Sequence, residues 1–413
     1  MKRIASLLAV GAAALPLASC VENSSGGDLT VTATSDKCEV SATSADSGAR
    51  TFSIKNEGSQ ITEFYLLADD GLRVVAEREN IAPGETASLT VSLAPGNYYT
   101  ACKPGLRGPN VGQAAFTVTG EAIAVDADDQ ERFDAAVTSY TQFTQNEVAA
   151  LVPAVQEFAA AYAAGQDDRA RELYPATRVH YERIEPLAEA LGILDAKIDY
   201  REIDYIAEAD HLAAEDPSFT EWRGFHRIEK DLWVPAEDAT NADGSPARLD
   251  WAPSTREQRQ KIADQLVSDV ETLESLVRDA NFAENNDVTI DTISNGAIGL
   301  LEEIATNKVT GEENWWSHKD LYDFQSNLEG ARIAFDLVAP IAADRGEEGT
   351  KLVDDITTRF DAVQELLNKY GSAEQGGFPD YTEVNAGQQA ELTRAIDALR
   401  EPLSQLTGTV LGI

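Results

Sequence analysis

The hydrophobic pattern of this chain changes once, near residue 121, and no other feature restricts the fold as strongly. Between Leu29 and about Gly120, apolar and polar residues alternate in short runs that glycine and proline turns separate. This period of two predicts the short strands of a Greek-key β-sandwich. From about residue 130 onward, the apolar residues follow a helical period instead, which predicts long helices packed as a bundle. We therefore predict a multi-domain chain with an all-β domain at 29–120, a linker at 121–130 and an all-α domain at 131–413.

The residues before the β-domain have the pattern of an export signal. A basic start precedes an apolar stretch at 4–15, and Leu-Ala-Ser before Cys20 forms a lipobox. We predict a lipoprotein signal peptide at 1–20, acylation of Cys20 and a tether at 21–28. An ordinary signal peptide with a chance cysteine is the alternative. Because no later apolar run is long enough to cross a bilayer, the protein is predicted to be exported, periplasmic or at the cell surface, and anchored to the membrane by lipidated Cys20.

The charge of the chain excludes several classes of partner. It carries 71 acidic and 33 basic residues, a formal net charge of -38. Such a surface repels nucleic acids and anionic membranes, and it attracts cations. Solubility alone is the simpler explanation of most of these charges. We therefore expect no nucleic-acid partner, and we look for clusters of acids that could hold a cation.

One segment of the helical part, Gly224–Trp233, combines buried and ionisable residues. On a helix, His226 and Glu229 lie on one face, and an adjacent apolar stripe contains Phe225 and Ile228. A buried imidazole beside a buried carboxylate is costly unless both are satisfied. A metal ion would satisfy both, and a histidine–glutamate hydrogen bond inside a core is the alternative.

The limits and the outer face of this motif helix can also be predicted. Ser218 and Glu221 have the spacing of a capping box, which predicts a helix over 219–232. The remaining residues of the motif lie on the opposite side of the helical wheel, and we expect them to face solvent: Arg227, Lys230 and Asp231.

A second pair of acids repeats the spacing of the motif. Glu182 and Glu185 lie three residues apart, like His226 and Glu229. Such pairs on facing helices are how bundle cores assemble carboxylate-rich iron sites. Taken singly, each acid is more often part of a solvated helix face.

The β-domain carries a second set of groups that could bind a metal. Its cysteines, Cys38 and Cys102, could form a disulfide in an oxidising compartment or ligate a metal, and the sequence leaves both open. Nearby carboxylates favour hard cations such as ferric iron. The candidate second metal site consists of Cys38, Glu63, Glu77, Glu79 and Cys102. A disulfide-bonded domain with surface acids is the simpler interpretation.

Blue-copper chemistry is excluded from the β-domain. An electron-transfer copper site needs two histidines, a cysteine and usually a methionine. The only methionine is Met1, and all four histidines lie in the helical part: His180, His211, His226 and His318.

These motifs carry a resemblance to a known family. Gly224-x-His226-x-x-Glu229 is the signature of the imelysin-like domain, and its form here resembles the EfeO type of bacterial iron-uptake lipoprotein. The turn and cysteine at 95–102 resemble the last hairpin of cupredoxins, and other segments resemble EfeO proteins: 36–39, 77–84 and 300–313. The resemblance implies a cupredoxin-like domain followed by an imelysin-like bundle of two related half-bundles. It also implies a metal site at His226, Glu229, Glu182, Glu185, Asp199 and Glu303.

The resemblance further implies a function. The protein would be an extracytoplasmic, lipid-anchored component that binds ferric or ferrous iron, with zinc or copper as alternative metals. It would deliver iron to a membrane iron permease, in concert with an exported haem peroxidase. A polysaccharide-binding or adhesin-like imelysin protein is one alternative, and a metallopeptidase is the other. We expect no enzyme, because the chain contains no His-Glu-x-x-His and Lys230 interrupts the reversed motif after Glu229.

Overall fold

The computed structural model describes most of the chain after the predicted tether. The described residues are 29–69, 71, 74–106, 109–121, 125–187, 191–249, 251–306, 308–372 and 377–412. The predicted signal peptide, the tether and Cys20 lie outside them, and so does the side chain of Glu303. Within these residues, no helix combines the length and the apolar character needed to cross a membrane.

The first part of the chain forms two packed β-sheets, as the alternating pattern predicts. One sheet has the strand order β2-β1-β4-β7 and the other the order β3-β9-β8-β5-β6. The strands are β1 Leu29–Ala33, β2 Cys38–Val40, β3 Ser44–Asp46, β4 Gly48–Asn56, β5 Thr62–Leu67, β6 Val74–Ile81, β7 Thr86–Leu93, β8 Gly96–Pro104 and β9 Val111–Thr119. Within each sheet most neighbours are antiparallel, while β1–β4 and β3–β9 are parallel.

The sandwich core comes from the residues that alternate inward. In β7, every second residue from Ala87 to Leu93 is buried and its neighbours are not, because successive strand side chains point to opposite faces. Phe52 lies at the centre, with its ring centroid 5.2 Å from that of Phe64 and 5.8 Å from that of Phe116.

The two cysteines of the sandwich form a disulfide. Cys38 in β2 and Cys102 in β8 are bonded, with their Cα atoms 5.4 Å apart. Gly112 packs against this bond with φ 64°, and a Cβ atom there would overlap Cys38. The interpretation of Cys38 and Cys102 as metal ligands is therefore wrong, because a disulfide leaves no thiolate to coordinate an ion.

The second part of the chain is helical, as its period predicts. The helices are α1 Ala127–Ala163, α2 Asp167–Glu182, α3 Ile193–Asp199, α4 Glu202–Glu215, α5 Phe225–Leu232, α6 Arg256–Val277, α7 Phe282–Asn285, α8 Ile290–Thr306, α9 Asp320–Ala343, α10 Glu347–Leu367, α11 Ala386–Leu403 and α12 Leu406–Leu411. The first helix begins inside the segment predicted as a linker, because the Asp126 carboxylate accepts a hydrogen bond from the Asp128 backbone and caps it.

The long helices pack in two groups that meet at the centre of the bundle. In the first group α1 lies against α2 and α6, and in the second α9 lies against α8 and α10. Contact between α2 and α9 joins the groups. The sandwich rests on α8, where the Asp291 carboxylate accepts a 2.9 Å hydrogen bond from the Ser92 backbone amide. An all-β sandwich followed by an all-α bundle is therefore the fold of this chain.

The motif helix differs from its prediction in length and in its outer face. It spans only Phe225–Leu232, and Ser218 makes a turn with Asp216 instead of a capping box with Glu221. Lys230 and Asp231, which we expected to face solvent, are 0% and 1% exposed. The helical-wheel prediction of an exposed face was wrong because neighbouring elements enclose this short helix on all sides.

Charged partners compensate for the burial of both residues. The Lys230 ammonium pairs with Glu202 and lies 4.9 Å from the ring centroid of Trp251, a favourable cation–π position. The Asp231 carboxylate accepts a hydrogen bond from Tyr162 and pairs with Arg227 at 2.9 Å.

Candidate metal centre

A glycine brings the motif helix against the end of α3. Gly224 has φ 96°, a conformation that other residues rarely adopt. A Cβ atom at this position would overlap the carbonyl oxygen of Ile198. Since Asp199 follows Ile198 and His226 follows Gly224 by two residues, this close approach places the imidazole beside the Asp199 carboxylate.

The His226 imidazole is enclosed by three carboxylates. Its Nε2 atom lies 3.1 Å from Glu313 Oε1 and 3.6 Å from Asp199 Oδ1. Its Nδ1 atom lies 3.0 Å from Glu229 Oε2. Only 2% of the residue is exposed. One nitrogen and two carboxylate oxygens thus converge, and these three ligand atoms lie within 4.8 Å of one another.

Glu229 holds the histidine rather than facing the same space. Its Oε1 atom accepts hydrogen bonds from the Ser317 backbone amide at 2.8 Å, the Ser317 hydroxyl at 2.7 Å and the Trp316 amide at 3.2 Å. Its Oε2 atom binds His226 Nδ1. A carboxylate that accepts from Nδ1 orients the ring and leaves Nε2 for a ligand, as in many metal-binding histidines.

A buried arginine joins the carboxylates behind the histidine. The Arg178 guanidinium is 0% exposed. It binds Glu182, Asp199, Asp323 and Glu313, the last at 3.3 Å. Glu182, Glu313 and Asp323 form a second group of closely spaced carboxylates. The positive charge of Arg178 offsets part of the cost of burying these acids together.

The pKa values of these groups reflect the competition between burial and charge. Burial and the nearby Arg178 lower the pKa of His226, but hydrogen bonds with Glu229 and Glu313 and the charge of Asp199 outweigh them and raise it to about 10. Burial alone would raise the pKa of Glu313, but the charges of Lys308 and His226 lower it well below its usual range. The metal-free centre therefore holds a charged imidazole against an ionised carboxylate.

The structure brings some of the predicted ligands to His226 and holds others elsewhere. Asp199 lies at the imidazole, as described above. Glu182 binds Arg178 and also pairs with Lys308 at 3.3 Å. Glu185 pairs with the same lysine at 2.8 Å. Both glutamates are thus tied to internal cations beside the histidine site.

Sequence reasoning missed Glu313. It lies in the loop between the 3₁₀ turn Lys308–Thr310 and α9, where no helical spacing points to it. The signal that could have found it is its position at the end of segment 300–313, which resembles EfeO proteins. The resemblance was carried over to Glu303 of the same segment instead.

A large cavity between the two domains reaches the centre. Its volume is about 790 Å³. From the bundle it is lined by Asp199, Glu313 and Glu185. From the sandwich, the glutamates of the predicted second site line the same cavity: Glu63, Glu77 and Glu79. Members of both predicted sets, Asp199 and Glu185 from the bundle and the three glutamates from the sandwich, therefore face one shared space.

A second, smaller cavity lies beside the histidine. It has a volume of about 30 Å³ and is lined by His226, Glu229, Glu313 and tryptophan rings that include Trp316. Since a water molecule needs roughly 10–15 Å³ of such space, this cavity has room for water beside the imidazole.

A buried aspartate near the centre makes stability depend on pH. Asp320 is 1% exposed, and its Oδ1 atom accepts a 3.1 Å hydrogen bond from the Asn314 amide. Burial raises its pKa from 3.8 to about 7. Between these values the folded state binds more protons than the unfolded state, so this group makes stability fall as pH rises, by about 1.4 kcal/mol per pH unit.

We therefore expect Asp320→Asn to gain stability relative to the wild type as the pH rises. Urea unfolding of both proteins at about pH 4.5 and about pH 6 should give a difference that grows by on the order of 2 kcal/mol. A difference that does not change with pH would show that Asp320 is ionised throughout this range.

The fold and the motif together define a class of two-domain proteins, a cupredoxin-like sandwich followed by an imelysin-type bundle. The family model described as Imelysin matches residues 136–406. The model described as Cupredoxin-like domain matches residues 7–110.

Proteins of similar sequence place the chain in a narrower group within this class. The "Iron uptake system component EfeO" of Escherichia coli O1:K1 is 35% identical over 383 residues, which are 93% of this chain and 91% of the relative. The proteins of the same name from E. coli K12 and Shigella flexneri are 34% identical with the same coverage. The chain belongs to the imelysin family and, within it, to the EfeO type.

Proposed function

We propose that this protein is an extracytoplasmic iron-binding component of an iron uptake system, tethered by a lipid at Cys20. The names of its EfeO relatives support a place in iron uptake. One structural observation carries the binding role: His226 Nε2, Asp199 Oδ1 and Glu313 Oε1 converge within 4.8 Å. Carboxylate oxygens with an imidazole nitrogen form a ligand set suited to iron, and to zinc as the alternative.

The residues around this ligand set have distinct roles in the proposed binding. Glu229 accepts from Nδ1 and directs Nε2 toward the cation. Iron would displace the proton that His226 carries in the metal-free state, since a metal binds the neutral imidazole. Water in the small cavity beside His226 would complete the coordination shell.

The cavity between the domains would gather the cation before it is bound. Ten acidic side chains from the two domains line it, against two basic ones, Lys103 and Arg201. A cleft with such an excess of one sign of charge concentrates ions of the opposite sign. We propose that Glu63, Glu77 and Glu79 of the sandwich act there, as a carboxylate set without the disulfide-bonded cysteines. Iron would be ligated and handed over without bond chemistry.

Binding explains the motif better than hydrolysis does. A metallopeptidase of this kind would use Glu229 as a general base toward water. Here one Glu229 oxygen accepts three hydrogen bonds from Ser317 and Trp316, and the other binds His226. The alternative of an anionic polysaccharide ligand is opposed by a net charge of -38.

The names of the relatives support membership of an iron uptake system, and the particular partners are our proposal. A component that binds iron outside the membrane needs a membrane iron permease to which it delivers the ion. An exported haem peroxidase is the third proposed component of the system.

The lipid anchor has its own test. We expect mass spectrometry of the native N-terminus to show a diacylglyceryl or triacylated Cys20, because the Leu-Ala-Ser-Cys sequence is a lipobox. An unmodified N-terminus at another residue would contradict the anchor and leave the binding role open.

The binding role is tested by metal-dependent stability of the full mature chain. A ligand that binds only the folded state raises the melting temperature with its concentration. We expect Fe³⁺-citrate, or Fe²⁺ under argon, to raise the melting temperature of the wild type. We expect His226→Ala to fold but to lose this metal-dependent rise.

Glu365→Gln is the matched control, because Glu365 is exposed on α10. It should keep the full metal-dependent rise. If His226→Ala shows the same rise as the wild type, iron does not bind at this centre.

A further inference from the structure

Arg178 binds the same oxygen atoms that face the histidine. Glu313 Oε1 lies 3.1 Å from His226 Nε2 and 3.3 Å from an Arg178 guanidinium nitrogen. Asp199 Oδ1 lies 3.6 Å from His226 Nε2 and forms an ion pair with another guanidinium nitrogen. Both carboxylate ligands of the proposed iron site are therefore already bound to an internal cation.

The arginine is held in this position by more than these two acids. It also binds Glu182 on its own helix and Asp323 on α9, the latter at 3.1 Å. Its guanidinium carbon lies 5.5 Å from the ring centroid of Phe225 and 5.8 Å from that of Tyr174. Because the side chain is fully buried, it cannot leave for solvent when a metal enters.

This arrangement gives the metal-free protein an assembled site. Without a cation, Asp199 and Glu313 would repel each other in a buried space. The Arg178 guanidinium pairs with both carboxylates, offsets this repulsion and keeps them near the imidazole. The cost appears when a metal arrives, because the metal must share or take over oxygens that charge-assisted hydrogen bonds already hold.

We propose that Arg178 is a built-in competitor of the bound metal, which lowers the affinity of the centre and speeds release of the cargo. This inference rests on the proposed function, because it requires a cation at His226, Asp199 and Glu313. A carrier must release its ion to the next protein, and a competing cation fixed beside the ligands makes release easier without changing them.

The opposite role is equally well defined. If Arg178 only supports the ligands from behind, each carboxylate would bind the metal through its remaining lone pairs and keep the arginine. Removal of Arg178 would then disorganise the site and weaken metal binding. The two roles thus predict changes in affinity of opposite sign.

The test measures metal affinity and release with Zn²⁺, a redox-silent probe, and with Fe²⁺ under argon, on the full mature chain. We expect Arg178→Met to bind either metal roughly 10- to 100-fold more tightly, since two charge-assisted hydrogen bonds no longer oppose the metal. Release into excess EDTA should slow by a similar factor, because affinity changes act mainly on dissociation.

Two further variants separate competition from loss of charge and from loss of folding. Lys308→Met removes another buried cation, one that pairs with Glu182 and Glu185, and should raise affinity less than Arg178→Met. Arg178→Lys keeps the positive charge, but a lysine cannot reach all the carboxylates at once. Its metal affinity should therefore lie between those of the wild type and Arg178→Met. If Arg178→Met does not fold, Arg178→Lys decides.

The outcomes are distinct. Tighter binding and slower release in the arginine variants, beyond the effect of Lys308→Met, support the inference. Weaker or unchanged metal binding in Arg178→Lys overturns the inference. The proposed function still stands in that case if His226→Ala binds metal more weakly than the wild type. If the wild type and His226→Ala bind metal equally, the metal does not bind at this centre, and the proposed binding site fails together with this inference.

Discussion

Glu313→Gln is expected to weaken iron binding by at least about 100-fold while leaving the fold intact. The Oε1 atom of Glu313 is 3.1 Å from His226 Nε2. A hard cation such as ferric iron prefers charged carboxylate oxygens as ligands. Glutamine keeps the shape of the side chain but offers one neutral oxygen. Competitive titration against citrate would measure the loss, and circular dichroism would verify the fold.

The control for this variant is the same chemical change on the surface. Glu365→Gln removes an exposed carboxylate from α10 and should leave iron affinity within about twofold, because exposed charges in water act weakly over distance. Equal affinities in the two variants would place the bound iron elsewhere, and the carboxylates Glu63, Glu77 and Glu79 would then be the next candidates.

Arg178→Met is expected to destabilise the metal-free bundle by about 3–5 kcal/mol, the usual effect of removing one partner from a buried ion pair. The guanidinium contacts Glu182, Asp199, Glu313 and Asp323, and its loss leaves these carboxylates without their shared counter-charge. Urea unfolding in EDTA, followed by far-UV circular dichroism, reports the helices and would measure the change.

An exposed arginine provides the comparison. Arg169→Met breaks ion pairs with Glu157 and Glu172 on the surface, where the arginine side chain is 44% exposed. Such exposed pairs contribute little to stability, because water and salt screen them. A loss of similar size in both variants would mean that the buried carboxylates take up protons freely and do not need Arg178.

The motif shows how far sequence reasoning reaches in this chain. His226 and Glu229 were predicted to be buried neighbours on one helix, and they are 2% and 1% exposed. The hydrogen bond between His226 and Glu229, the predicted alternative to a metal, is present at 3.0 Å. The spacing did not reveal that the other Glu229 oxygen would bind Ser317 and Trp316. Spacing along a helix reports which face a residue occupies, and only the neighbouring elements decide what it binds there.

The contact between Glu313 and Arg178 could not be predicted from any local sequence pattern. They lie 135 positions apart in the chain and meet at 3.3 Å. One sits in a loop and the other inside α2, so neither belongs to a periodic stretch shared with His226. Lys230 and Asp231 show the opposite error. The helical wheel placed them on the outer face, but tryptophan rings and α1 enclose the short helix and bury both residues.

Local physics, readable from the sequence, determined the two halves of this protein. The period of two before residue 121 and the helical period after it specify a sandwich and a bundle, because side-chain direction follows backbone geometry. The glycine of the motif, the position of the cysteines and the absence of copper ligands in the β-domain are equally local. Tertiary structure alone decided that the cysteines bond and that Asp199, His226 and Glu313 converge against Arg178. It also decided that the acids of both domains share one cavity. These are contacts between distant segments, and packing of whole elements, not spacing within one, sets their distances.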